Sequence, residues 1–167
     1  MSVADEQPAV YVAGPLGFTP YGREYHENEV MTALSTAGLL PLDPWTVPDD
    51  PFAVAAALPA GADRLSAFAR ANRVAGARNE QLIRASAAVL ALLDGADVDS
   101  GTAAEIGFAA ALGIPVVGLR LDFRPAGDNE ATVVNLQVAH FVEASGGCIV
   151  RGLAEAIDAI AALVRPA

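Results

Sequence analysis

Asp94, Asp97, Asp99 and Glu105 fall within twelve positions of one another. Carboxylates at this density can hold a cation, accept hydrogen bonds from hydroxyls, or attack an electrophilic carbon. These four share one turn with no histidine beside them, which is a poor set for a metal ion. Retaining glycosyl transfer, by contrast, needs one ionised carboxylate as nucleophile and a second group to protonate the leaving group. Glu105 carries two readings. Thr102-Ala103-Ala104-Glu105 fits a capping box, in which the glutamate reaches back to the first free amide. In the other reading, a carboxylate in a first helical turn is held ionised by the helix dipole and attacks an anomeric carbon. Asp99 either accepts from a substrate hydroxyl or caps the helix. Asp94 and Asp97 are expected to shape the turn.

These acids need elements to hold them. The apolar run Val89–Leu93 has strand length and stops at Asp94. A Gly- and Asp-rich turn follows, then a helix start around Glu105, then a second apolar run after Gly113. That is a βαβ unit. In open α/β sheets ligands sit outside the carboxyl ends of the strands, and the acids lie at that end.

Upstream, Ala9–Ala13 reads as a buried strand running into Gly14-Pro15-Leu16-Gly17-Phe18. This loop lacks the spacing of a dinucleotide fingerprint. Gly14 would admit a ligand close to the backbone. Tyr11, near the strand's end, reads either as a core aromatic or as a site residue. Residues 21–37 read as a helix ended by Gly38, and 39–42 as a second strand leading to Asp43-Pro44-Trp45. Residues 46–61 carry three prolines and read as a long connection with a helical turn at 52–58, either a lid or a plain surface loop. Residues 62–85 read as one long helix with Asn79 and Glu80 near its end. A fourth strand over 114–120, a helix over 133–144, a fifth strand over 148–150 and an amphipathic helix over 152–164 complete the chain. Strands alternating with helices predict an α/β fold: one domain over residues 9–167, after a flexible tail at 1–8, with a doubly wound five-stranded parallel sheet in the flavodoxin-like order 2-1-3-4-5. The loops after Tyr11 and after Leu93 would then face one crevice.

Composition narrows the chemistry. The chain has 167 residues and a net charge of -10, and its ten basic residues are all arginine. An acidic chain without lysine argues against nucleic-acid binding and excludes a lysine Schiff base. The lone Cys148 is expected to be a buried, inert thiol. His26 and His140 have no spacing relation to the acids and are expected to be structural. Residues 1–8 show no leader pattern, and no apolar run approaches the roughly 20 residues of a membrane span. A soluble, cytoplasmic protein with no membrane contact is expected.

Several segments together resemble the nucleoside 2-deoxyribosyltransferases. They are Tyr11-Val12-Ala13-Gly14-Pro15-Leu16, the stretch Asp99–Gly107, Gly113-Ile114-Pro115-Val116, Asp122-Phe123-Arg124 and Val134-Asn135-Leu136. They occur in the family's order over roughly residues 10–141, and the Asp99–Gly107 stretch is the specific one. The resemblance implies transfer of a 2-deoxyribosyl group between nucleobases through a covalent sugar ester, without cofactor or metal. Glu105 would be the nucleophile and Tyr11 its orienting phenol. Asp99 would take the 5′-hydroxyl. Asn135 would come from a neighbouring subunit, which implies a homodimer or larger assembly. Phe18 and Trp45 would line the base pocket, with Gly14, Asp43 and Gln137 as further substrate contacts. Glu80 would be the general acid. Deoxynucleosides and free nucleobases would be the small-molecule partners. Ala87, Gln137 and Trp45 depart from the commoner family pattern, which bears on base preference. Two alternatives stand beside transfer: hydrolysis of nucleoside 5′-monophosphates, and a non-catalytic nucleoside-binding module.

Overall fold

A computed structural model of the chain describes residues 7–47 and 49–165. Most of the tail expected at residues 1–8 lies outside them. Five parallel strands form one sheet in the order β2-β1-β3-β4-β5. They are β1 (Ala9–Ala13), β2 (Leu40–Leu42), β3 (Ala88–Leu92), β4 (Val116–Leu119) and β5 (Ile149–Val150). The α/β class and the strand order are those expected from the sequence. Between the strands run α1 (Pro20–Tyr25), a π-helical turn (His26–Val30), α2 (Met31–Thr36), α3 (Pro51–Ala56), α4 (Ala62–Ala85), α5 (Ser100–Ala111) and α6 (Leu136–Ala144), and α7 (Leu153–Val164) follows β5. Among the described residues no helix is long and apolar enough to cross a membrane.

Side chains alternate across the sheet, and this divides the core in two. Val10, Val12, Leu90 and Leu92 pack with α2 and α7 on one face. Tyr11, Ala13, Val89, Ala91 and Leu93 pack on the other, with Ile83 of α4, Ile106 and Ala109 of α5, and Val138 of α6. The second face matters for the site, because Tyr11 lies on the same side as the helices that carry Asn79 and Glu105. The central strands are apolar on both faces because both are covered, as a parallel sheet requires.

Most boundaries differ from the sequence reading by a residue or two. The helix expected over 21–37 begins at Pro20 and widens into a π turn at its middle. The helical turn in the long connection is α3, one residue earlier than expected. The helix expected from residue 133 begins only after Asn135, which caps it by accepting from the Gln137 amide at 2.9 Å. Cys148 is exposed, contrary to the expectation of burial, because β5 begins one residue after it.

The carboxyl ends of β3 and β4 are interlocked. Asp94 Oδ1 accepts from the Leu121 and Asp122 amides at 2.6 and 2.8 Å. In return, Arg120 donates to the carbonyls of Leu93, Gly95 and Arg124. The Arg120 side chain is fully buried and has no carboxylate partner among the described residues. A guanidinium can serve three carbonyls at once because its donors form a fixed planar fork. Arg120→Met keeps the volume and strands those carbonyls. It is expected to destabilise the fold by about 3 kcal/mol, a Tm loss on the order of 10 °C, measurable by calorimetry. An unchanged Tm would show that the lock is dispensable.

Candidate active site

The first turn of α5 decides the role of Glu105. Asp99, not Thr102, is the N-cap, and its Oδ2 accepts from the Thr102 amide at 3.0 Å and the Thr102 hydroxyl at 3.2 Å. Glu105 therefore falls in the second turn, out of reach of the helix start. The capping-box reading does not hold, and proximity to the helix N-terminus does not explain the state of this carboxylate.

Glu105 instead faces the sheet. Tyr11, fully buried in β1, donates its hydroxyl to Glu105 Oε1 at 2.6 Å. Asn79 of α4 donates to the same oxygen through Nδ2 at 3.4 Å. Both donors crowd one oxygen, and Oε2 takes neither bond. Burial pushes the Glu105 carboxyl above its usual range; Tyr11 and Asn79 pull it back, and the charge of Asp99 adds to the rise. Tyr11 is raised far above the ordinary phenol range, first by burial and then by the charge and hydrogen bond of Glu105, with Arg78 opposing. It therefore remains a hydrogen-bond donor at any physiological pH.

These groups open into a cleft of about 610 Å³, a volume suited to a small ligand. Its walls include Gly14, Phe18, His26, Asp43, Trp45, Asn79, Asp99 and Glu105. Phe18 and Trp45 meet edge to face, with ring centroids 4.7 Å apart. Trp45 Nε1 donates to the Gly14 carbonyl at 3.3 Å. A Cβ on Gly17 would sit 2.0 Å from the Trp45 ring, so only glycine fits beneath it. Asp43 organises the wall from below. Its Oδ1 pairs with His26 Nε2 at 3.0 Å and accepts from the Trp45 amide at 2.9 Å. Its Oδ2 accepts from the Thr46 hydroxyl at 2.7 Å. Burial raises the Asp43 carboxyl, but the bonds from His26, Thr46 and Trp45 outweigh it and hold it below the usual range.

Of the site residues expected from sequence, the structure brings Tyr11, Gly14, Phe18, Asp43, Trp45, Asp99 and Glu105 to this one cleft or its edge. It does not bring Glu80, Asn135 or Gln137 there. Glu80 is exposed and paired with Arg84 at 2.9 Å along α4. It borders a second, shallower hollow that reaches Glu105 from the outside. Asn135 and Gln137 lie at the start of α6, outside the cleft walls. Sequence reasoning gave Asn79 no role and His26 only a structural one. The signal for Asn79 was its helical phase, four residues before the buried Ile83. The pairing of His26 with Asp43 had no sequence signal, since it depends on the π turn.

The family model for nucleoside 2-deoxyribosyltransferases matches residues 10–137. Among solved structures, a 2-desoxiribosyltransferase from Leishmania mexicana superposes with a TM-score of 0.55 at 28% identity, covering 78% of this chain and 85% of that one. A conserved protein from Enterococcus faecalis V583 gives 0.63 at 24% identity, covering 93% and 98%. A 2-deoxyribosyltransferase from the psychrotolerant Bacillus psychrosaccharolyticus gives 0.65 at 17% identity, covering 95% and 98%. At those lower identities the last two speak for the fold alone. No curated protein matches the chain. The matched span runs from the strand that carries Tyr11, through the helices that bear Asn79 and Glu105, to the start of α6, and the chain belongs to the nucleoside 2-deoxyribosyltransferase family.

Proposed function

We propose that this protein transfers a 2-deoxyribosyl group from one nucleobase to another, with retention at C1′, through an ester on Glu105. The observation that carries the reading is the Tyr11 hydroxyl 2.6 Å from Glu105 Oε1 inside a ligand-sized cleft. With Oε1 held by Tyr11 and Asn79, Oε2 is the attacking oxygen. It bonds C1′ as the base leaves with the electron pair of the broken bond and takes a proton from water in the open cleft, and the incoming base gives its proton to water as it displaces Glu105 on the same face. The Phe18–Trp45 corner holds the base. Glu80, paired with Arg84 on the helix surface, is given no proton-transfer step. Asn135 lies outside this cleft, so a sugar contact from it would be made across a homo-oligomer interface.

Asp99 supports nucleosides over nucleotides. Five carboxylates (Glu27, Asp43, Asp50, Asp99 and Glu105) border the cleft, against Arg23 as the only guanidinium on its walls among the described residues. A 5′-phosphate of about -1.5 to -2 charge would meet a field in which carboxylates outnumber guanidinium groups. Asp99→Ser is therefore expected to raise the kcat/KM ratio of 5′-monophosphate to nucleoside by roughly tenfold. An unchanged ratio would remove the electrostatic argument for nucleosides. The function itself is tested by chromatography of products from 2′-deoxyinosine or thymidine, with and without excess adenine or cytosine. A new deoxynucleoside that needs the acceptor base establishes transfer. Free base and deoxyribose without exchange would make the protein a hydrolase.

A further inference from the structure

We infer that Arg78 is the positioning residue for the Trp45 wall, holding the base-binding side of the cleft at a fixed distance from the nucleophile. The inference rests on the base-pocket reading proposed above. After β2 the backbone over residues 43–47 belongs to no strand or helix. Its carbonyls therefore lack the ladder partners that a strand would supply. Arg78, on α4, supplies them. Its Nη1 donates to the Pro44 carbonyl at 3.1 Å, and its Nη2 to the carbonyls of Thr46 at 2.7 Å and Asp43 at 3.3 Å. Among the described residues no carboxylate is paired with it. The guanidinium is thus committed to this loop, as a planar fork with several donors can be and a lysine ammonium cannot.

The neighbouring residue on the same helix is Asn79, which holds Glu105 Oε1. Consecutive residues of one rigid helix therefore grip the two ends of the cleft. Asp43 lies below the wall and is held by His26, so the loop is fixed from a second side. The positive charge of Arg78 also opposes the rise in the Tyr11 hydroxyl pKa. A loop secured in this way presents Trp45 at one distance from C1′. Without Arg78, the three carbonyls turn to water and the indole is free to shift.

Trp45 is the only tryptophan in the chain, so its fluorescence reports on this wall directly. The test compares wild type, Arg78→Ala and Arg78→Lys by emission maximum, acrylamide quenching and fluorescence titration with adenine and with thymine. Arg78→Ala is expected to shift emission to the red and increase quenching. It should also weaken base binding by about tenfold, the scale of one lost charge-assisted contact. Arg78→Lys should fall between the two, and millimolar guanidinium should partly restore the alanine variant. Emission, quenching and base affinity that match wild type in Arg78→Ala would overturn the inference. If emission shifts and guanidinium reverses it while neither base binds any form, the positioning role stands and the base-pocket reading fails.

Discussion

Glu105→Ala is expected to abolish base exchange, lowering kcat/KM by about four orders of magnitude or more. Of the carboxylates on the cleft walls, Glu105 is the one that takes the Tyr11 and Asn79 bonds, while Asp43 has both oxygens occupied by His26, Trp45 and Thr46. Glu105→Gln separates chemistry from packing, because it keeps the shape and removes the charge. Burial raises the Glu105 carboxyl in the folded protein above its unfolded value. Stability linked to that group is present at low pH and is lost as pH rises through the folded value, so at neutral pH the ionised side chain costs stability. Glu105→Gln is thus expected to be inactive with a Tm equal to or above that of wild type, the pattern of a group kept for function at the expense of stability. Both variants should still bind free base, as read by Trp45 fluorescence. A variant that exchanges bases at the wild-type rate would make Glu105 an ordinary helix residue.

The parts of this architecture that were legible in the sequence were those governed by burial. Val89–Leu93 and Ala9–Ala13 are continuous apolar runs because both faces of the sheet are covered, and their alternation with helices led to the strand order. The parts that were not legible depended on phase or on long-range contact. Asp99 and Thr102 are both good N-caps, and choosing the second shifts the start of α5 by three residues. That choice moved Glu105 from the second turn to the first and gave it a capping role it does not have. On α4 only Ala71 and Ile83 are buried, so the helix has a weak apolar stripe. The stripe therefore assigns no role to Asn79, and the family resemblance puts Glu80, not Asn79, near the base. The structure turns Asn79 toward Glu105 and leaves Glu80 with Arg84. Arg120 gave no signal at all, since a charge that ends an apolar strand reads as the edge of the core rather than as part of it.

In the proposed mechanism the same geometry reconciles burial of the carboxylate with reactivity. Desolvation weakens the hold of water on Glu105 and makes it a better nucleophile, but it also favours the protonated, inert form. Donors on one oxygen shift that balance back without covering the other. Tyr11 is suited to this because its own proton is held so firmly that it donates at any working pH. The neutral amide of Asn79 adds a second donor that does not titrate. The arrangement divides the carboxylate into a held oxygen and a free one, and in the proposed mechanism the free one attacks C1′.

Tyr11→Phe tests that division. The ring lies fully buried in β1 and its packing is retained, so the variant loses only the hydroxyl. Losing one preorganised donor is expected to lower kcat by about 10². The pH profile carries the sharper signature. In wild type the acid limb of kcat/KM should lie above the ordinary glutamate range, because burial outweighs the pull of Tyr11 and Asn79. Removing the hydroxyl removes a contribution that lowers the Glu105 pKa, so the limb should move to higher pH still. Part of the lost rate should then return as pH is raised. Asn79→Ala should shift the limb in the same direction but by less, since its bond is 3.4 Å against 2.6 Å for Tyr11. A limb that stays in place in Tyr11→Phe, with kcat lowered, would mean that the phenol acts on the sugar or the base and not on the carboxylate. A limb that moves to lower pH would mean that the hydroxyl stabilises the protonated acid, and the assignment of Glu105 Oε1 as the held oxygen would be wrong.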